Sequence, residues 1–209
     1  MGSEIITLFF PPVVALLAYL LGSIPFGLLL ARAAGLGDIR AIGSGNIGAT
    51  NVLRTGHKGI AAATLLLDAG KGLAAVLLAR AYFGDWAGAS SMEMVAAGAA
   101  LIGHCYPVWL RFKGGKGVAT FLGIAFALLW PVGAVAAAVW LLALALTRYS
   151  SVGGLAMANA APVAAAIFGR FDIAFFLLGA AFLIDWKHRA NIVRLANGTE
   201  PKVGRKQAA

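Results

Sequence analysis

The stretch FKGGKGVAT, Phe112 to Thr120, places two lysines and three glycines between apolar runs. Gly114, Gly115 and Gly117 permit positive φ, so the backbone can fold into a concave nest of N–H donors. A helix beginning near Val118 would turn its free amides and positive dipole end toward the same point. Lys113 and Lys116 add full charges. Together these suit an oxyanion such as phosphate, although the loop lacks the GxxxxGK[ST] spacing of a nucleotide-binding P-loop. A positively charged turn with flexible glycines accounts for the same residues.

A second constellation, SGNIGATN, supplies Ser44, Asn46, Thr50 and Asn51 with Gly45 and Gly48 between them. Arg54 follows Thr50 by four residues, so the two share a face if a helix starts there. Arginine grips phosphate bidentately. Helix capping by Ser and Asn is the simpler use of such residues, but four short polar side chains exceed what one cap needs. The third constellation is WKHRANIVRLANGTEPK, Trp186 to Lys202. His188, Asn191 and Leu195 fall on one helical face with Arg194 flanking them, and histidine exchanges protons near neutral pH. Lys187, Arg189 and Arg205 fit a basic patch against anionic lipid.

Composition dictates the elements that must carry these segments. The 209 residues are 61% hydrophobic and 12% charged, against roughly a quarter charged in soluble domains. The expected fold is an all-α membrane protein, one integral-membrane domain over 1–209. About 20 apolar residues cross a bilayer, and seven stretches qualify, at roughly 5–31, 59–83, 91–111, 118–130, 131–147, 151–169 and 172–187. Pro131 separates the fourth from the fifth; a tight hairpin is favoured there, because 30 continuous helical residues would reach about 45 Å. The first stretch has no basic segment before it and reads as a span, not a cleaved leader.

With the N-terminus outside, 14 Lys and Arg fall on the cytoplasmic side, while only Arg80 and Arg170 fall opposite and Lys71 lies within a span. That asymmetry predicts N-out and C-in. It also puts 43–54, 103–120 and 186–202 on the cytoplasmic face. Trp86 and Trp130 would mark the outer interface, Trp109 and Trp186 the inner one. Net charge +9 reflects these loops and offers no basic surface for nucleic acid. Asp68 and Lys71, spaced i, i+3 in LLLDAGKGL, can neutralise each other inside the bilayer, either as a structural pair or as support for the inner loops. His104 could reach the same layer.

The lone Cys105 excludes an internal disulfide, a CxxC motif and a Cys/His metal site. There is no GxSxG elbow, and no His is followed four residues later by Asp. A covalent enzyme intermediate is therefore not required.

SGNIGATNVLR, GHCYPVWLRFKGGKGVAT and KHRANIVRLANGTE resemble the three inner-side motifs of the bacterial PlsY family, the acyl-phosphate-dependent glycerol-3-phosphate acyltransferases. LLGSIPFG and LLDAGKG extend the resemblance over most of the chain. It implies transfer of a fatty acyl group from acyl phosphate to the 1-hydroxyl of glycerol 3-phosphate, giving lysophosphatidate and phosphate in phospholipid biosynthesis. It implies that Lys116, Arg54 and Thr50 hold a substrate phosphate, with the Gly114–Gly117 amides as cradle. Ser44, His188 and Asn191 would line the reacting centre. Asn46, Asn51, Lys113 and Arg194 remain candidate substrate contacts from the residues themselves. No metal or cofactor is implied; membrane lipids and a soluble acyl-phosphate-forming enzyme are the expected partners, in the bacterial cytoplasmic membrane. The alternative function is a small-anion or phosphate-ester transporter, against which stand the one-sided polar loops and the lack of an internal repeat.

Overall fold

The computed structural model describes residues 2–42, 45–84 and 89–204. Ser44, Trp86, Arg205 and Lys206 lie outside the described residues. The helices are α1 Gly2–Gly22, α2 Phe26–Ala33, α3 Ala49–Leu53, α4 Lys58–Phe83, α5 Ala89–Cys105, α6 Val118–Leu128, α7 Trp130–Thr147, α8 Ser150–Ile167, α9 Phe171–Lys187 and α10 Arg189–Ala196. No strand occurs among the described residues.

Each apolar stretch expected from sequence contains a helix, although the first is broken in two and the third ends at Cys105, six residues before the expected bound. Among the described residues, four segments are long and apolar enough to cross a membrane: Phe10–Ala33, Lys58–Phe83, Trp130–Thr147 and Ser150–Ile167. The 11 residues of α6 reach only about 16 Å, half the hydrocarbon thickness. The first stretch is not one helix. Pro25 has no N–H and forces Ile24 out of helical geometry, so α1 stops and α2 restarts. The break frees the Ile24 carbonyl, which accepts a hydrogen bond from Lys71 Nζ at 2.7 Å. Trp109 Nε1 closes the neighbouring Ser23 carbonyl at 2.7 Å.

The turn at Pro131 is a hairpin, as its length required. Leu129 is extended (φ −156°, ψ 102°), and Pro131 lies in the first turn of α7, where its missing donor costs nothing. Gly133 packs directly on Phe126, seven residues earlier, which only a reversed chain allows. The hairpin therefore returns α7 to the end from which α6 departs.

Small residues let the helices approach closely, the usual device where lipid supplies no hydrophobic drive. Gly22 abuts Ala100 and Gly103 abuts Tyr19 between α1 and α5; Gly72 abuts Thr120 and Gly123 abuts Ala69 between α4 and α6. The core behind them holds Phe121, Ile124, Met157, Leu177 and Ile184, all fully buried. Leu66, Leu142, Ile167 and Phe175 stand 61–79% exposed on the outside. In water such a surface would aggregate; in a bilayer it is the solvated face.

Candidate active site

One pocket, a cavity of about 90 Å³, draws its walls from all three polar segments. Asn46, Thr50 and Arg54 come from the first, His104, Lys116 and Gly117 from the second, and His188, Asn191 and Glu200 from the tail. Ser150 and Ser151, delivered by the returning hairpin, complete it.

Arg54 sits at the C-cap of α3 in helical conformation, so it does share a face with Thr50. Thr50 and Ser150 share a hydrogen bond between hydroxyls at 2.8 Å, tying the first segment to α8. Asn46 turns its carbonyl back on the Ile47 amide at 2.9 Å. Asn51 lines the pocket, but it is 1% exposed and its amide donates to the carbonyls of Ile39 and Ile42. Its Oδ1 accepts from Arg54 Nη1 at 3.3 Å. Asn51 thus braces the loop and steers Arg54.

The glycine–lysine loop is built differently from the nest its sequence suggests. Gly117 alone of its glycines takes positive φ (87°), and it starts α6 as expected. The amides of Gly114 and Gly115 donate to the carbonyls of Cys105 and His104 at 3.2 and 3.0 Å. They are occupied, so they cannot also cradle a phosphate. Both residues are glycine because a Cβ on Gly114 would meet the His104 carbonyl, and one on Gly115 the His104 ring. Lys113 is exposed and lines, with Gly114, a separate surface depression. Of the loop's two charges, only Lys116 enters the site.

Lys116 Nζ donates to Asn191 Oδ1 at 2.5 Å. Asn191 in turn donates to Glu200 Oε1 at 2.6 Å, and Ser151 Oγ donates to the same oxygen at 2.7 Å. Arg194 Nε meets Glu200 Oε2 at 2.7 Å, so Arg194 is a partner of Glu200 and is not among the pocket walls. Burial opposes the charge of Glu200, but hydrogen bonds from Asn191, Ser151 and Arg194 hold its carboxyl below the ordinary value. Burial pulls Lys116 down to about 8, with Glu200 working the other way and Arg194 and Arg54 adding to the fall.

His188 caps α9 and is 2% exposed. Its Nδ1–H donates to the Ile184 carbonyl at 2.8 Å, which leaves Nε2 as the lone-pair nitrogen. Burial pushes it down to about 4, the bond to Ile184 opposes this and Lys116 assists it. The ring is neutral at pH 7. Lys187, expected against lipid, points inward instead: it donates to the Cys105 carbonyl at 3.0 Å and lies 4.4 Å from the Tyr106 ring centroid. Arg189 stacks on Trp186 at 4.9 Å. Asp68 and Lys71 form the expected ion pair at 2.7 Å, and Asp68 and His104 both reach the pocket wall.

A family model described as glycerol-3-phosphate acyltransferase matches residues 12–198. The chain belongs to that family. The glycerol-3-phosphate acyltransferase of Maricaulis maris (strain MCS10) is 58% identical over 191 residues, covering 91% of this chain and 86% of the relative. That of Jannaschia sp. (strain CCS1) is 55% identical over 191 residues, covering 91% and 92%. Two crystal structures of PlsY, an integral membrane glycerol 3-phosphate acyltransferase, share the fold. The glycerol 3-phosphate form aligns with TM-score 0.86 and 37% identity over 93% of this chain and 96% of that one. The lysophosphatidic acid form aligns with TM-score 0.84 and 36% identity over 92% and 94%. The protein is therefore an acyltransferase of phospholipid biosynthesis, integral to a membrane, and the transporter alternative is set aside.

Sequence reasoning missed Glu200, Ser150 and Ser151 as members of the site. Glu200 stands in the tail motif, but its partner Arg194 took the attention as a free cation. Ser150 and Ser151 follow Arg148 at the inner end of the expected hairpin, and that position was the available signal.

Proposed function

We propose that this acyltransferase moves a fatty acyl group from acyl phosphate to the 1-hydroxyl of glycerol 3-phosphate, yielding lysophosphatidate and inorganic phosphate. The observation that carries the reading is the convergence of Arg54 and Lys116 on one pocket beside neutral His188. Two cations suit a phosphate monoester, and a histidine near 4 is too weak a base to drive transfer from an unreactive donor. A mixed anhydride needs little base. The glycerol oxygen bonds to the acyl carbonyl carbon, the bond from that carbon to the phosphate oxygen breaks, and phosphate leaves with the electron pair and the hydroxyl proton. Positioning and charge stabilisation then supply the rate.

In this reading Arg54, Lys116 and Thr50 hold phosphate, while His188, Asn191 and Ser44 orient the acceptor hydroxyl. Asn46 and Gly117 line the entrance to that centre. Lys113 and Arg194 act outside it, Lys113 on the surface and Arg194 through Glu200. With the seven spans and the N-out, C-in orientation expected from the Lys and Arg asymmetry, the pocket would open to the cytoplasmic face of the bacterial inner membrane, where both phosphorylated substrates are accessible. A soluble acyl-phosphate-forming enzyme would supply the donor.

The test is stoichiometry. Purified protein given palmitoyl phosphate and labelled glycerol 3-phosphate should release one phosphate per lysophosphatidate formed; phosphate release without lysophosphatidate, or neither product from folded protein, would refute the donor.

A further inference from the structure

Two buried polar atoms stand together at the pocket wall: His104 Nδ1, which makes no hydrogen bond, and Asp68 Oδ1, whose one close partner is an ammonium. They lie 3.6 Å apart, on side chains each 4% exposed. Asp68 Oδ1 faces the Lys71 ammonium at 2.7 Å, which neutralises its charge, while Lys71 gives a hydrogen bond to Ile24 O. The imidazole is held from its other side, where Nε2 lies against Gly115. A buried polar atom left unpaired costs about 1–3 kcal/mol, and folded proteins keep few of them. At this separation one oxygen can stand within ordinary hydrogen-bond distance of both atoms. A group that donates to one and accepts from the other is a hydroxyl.

We propose that Asp68 and His104 recognise the secondary hydroxyl of glycerol 3-phosphate. The hydroxyl donates to Asp68 Oδ1 and accepts from His104 Nδ1–H, while the phosphate lies toward Lys116 and Arg54. The reacting hydroxyl needs room for the donor carbonyl and its chain. The near-complete burial of Asp68 and His104 gives no such room, so the hydroxyl held there is the one that does not react. The inference rests on glycerol 3-phosphate being the acceptor. It makes the pair a determinant of acceptor specificity, because a buried site built for a hydroxyl strongly rejects an analogue that lacks it.

The probe is 3-hydroxypropyl phosphate, which keeps the phosphate and a primary hydroxyl but lacks the secondary one. With wild-type protein and one acyl phosphate donor, kcat/KM for the probe should fall about 100-fold or more below that for glycerol 3-phosphate. His104→Leu and Asp68→Asn should each narrow that ratio to within about tenfold, mainly by lowering the value for glycerol 3-phosphate. Wild-type values within about threefold of each other would overturn the proposal with no variant needed. Variants that depress both substrates equally and keep the ratio would make the pair structural only, and would also overturn it. If wild-type protein acylates neither substrate from acyl phosphate, the proposed function falls and this inference falls with it.

Discussion

Lys116 and Asn191 are joined by a hydrogen bond of 2.5 Å, and through Asn191 the glycine–lysine loop is coupled to Glu200 at the far end of the tail motif. Glu200 also accepts from Ser151 and Arg194. One carboxylate therefore ties α8, α10 and the chain after α10 to the residue that positions the Lys116 ammonium.

Glu200→Ala should consequently destabilise the protein before it alters chemistry. Removing the acceptor leaves Ser151, Asn191 and Arg194 without their shared partner, at a cost of about 3 kcal/mol. A lowered Tm in detergent, with Glu200→Gln intermediate, is the expected outcome. Because the folded carboxyl lies below its ordinary value, this stabilisation is complete above about pH 5 and fades as pH falls through the lower folded value. An unchanged Tm for the alanine variant would show that the network carries no load.

Lys116 sets an alkaline limit. In the empty site its ammonium titrates near 8, so the cation is present below that pH and lost above it. kcat/KM follows the free enzyme, and should decline above pH 8 by up to about tenfold per pH unit. Lys116→Arg, charged throughout, should lack that limb. Lys116→Ala should raise KM for the phosphate substrate by roughly 10–100-fold, the worth of one charge-assisted bond. A wild-type profile flat to pH 10 would remove Lys116 from phosphate binding.

His188 should contribute no ionisation near neutrality. Its imidazole titrates near 4 and is already neutral at pH 5. His188→Gln should lower kcat by about 10–100-fold through lost orientation, yet leave the shape of the pH–kcat profile unchanged between 5 and 7.5. Loss of a limb near pH 6.5 in the variant would identify His188 as a titrating base.

Gly115 is a packing position for His104. Gly115→Ala would drive a methyl into the imidazole and displace the loop that carries Lys116. A destabilisation of about 1–3 kcal/mol is expected, together with a raised KM for glycerol 3-phosphate. Normal KM and Tm would show that the loop can shift without consequence.

The fold was legible where length and periodicity decide. The all-helical architecture, the reversal at Pro131 and the start of α6 at Val118 follow from apolar run length, the missing proline donor and a positive-φ glycine. The break at Pro25 was not read, because apolar residues continue across it and hydropathy is blind to a lost backbone bond. In the site, residue type located the three segments but not the direction of their hydrogen bonds. Asn51 and Arg194 were chosen as polar groups available for substrate, whereas each is engaged with the protein. The Gly114 and Gly115 amides were read as donors for an anion because sequence spacing does not show that His104 and Cys105 offer carbonyls opposite them. Glu200 was overlooked because its three partners, Ser151 on α8 and Asn191 and Arg194 on α10, are brought together only by the fold.

The most direct test is a donor panel. Detergent-purified protein would receive labelled glycerol 3-phosphate with palmitoyl phosphate, palmitoyl-CoA or palmitoyl-acyl carrier protein in separate reactions, and lysophosphatidate would be counted. Product from the acyl phosphate alone is the expected result, since neutral His188 and paired cations serve a donor that already carries its leaving group. Product from a thioester but not from acyl phosphate would contradict it.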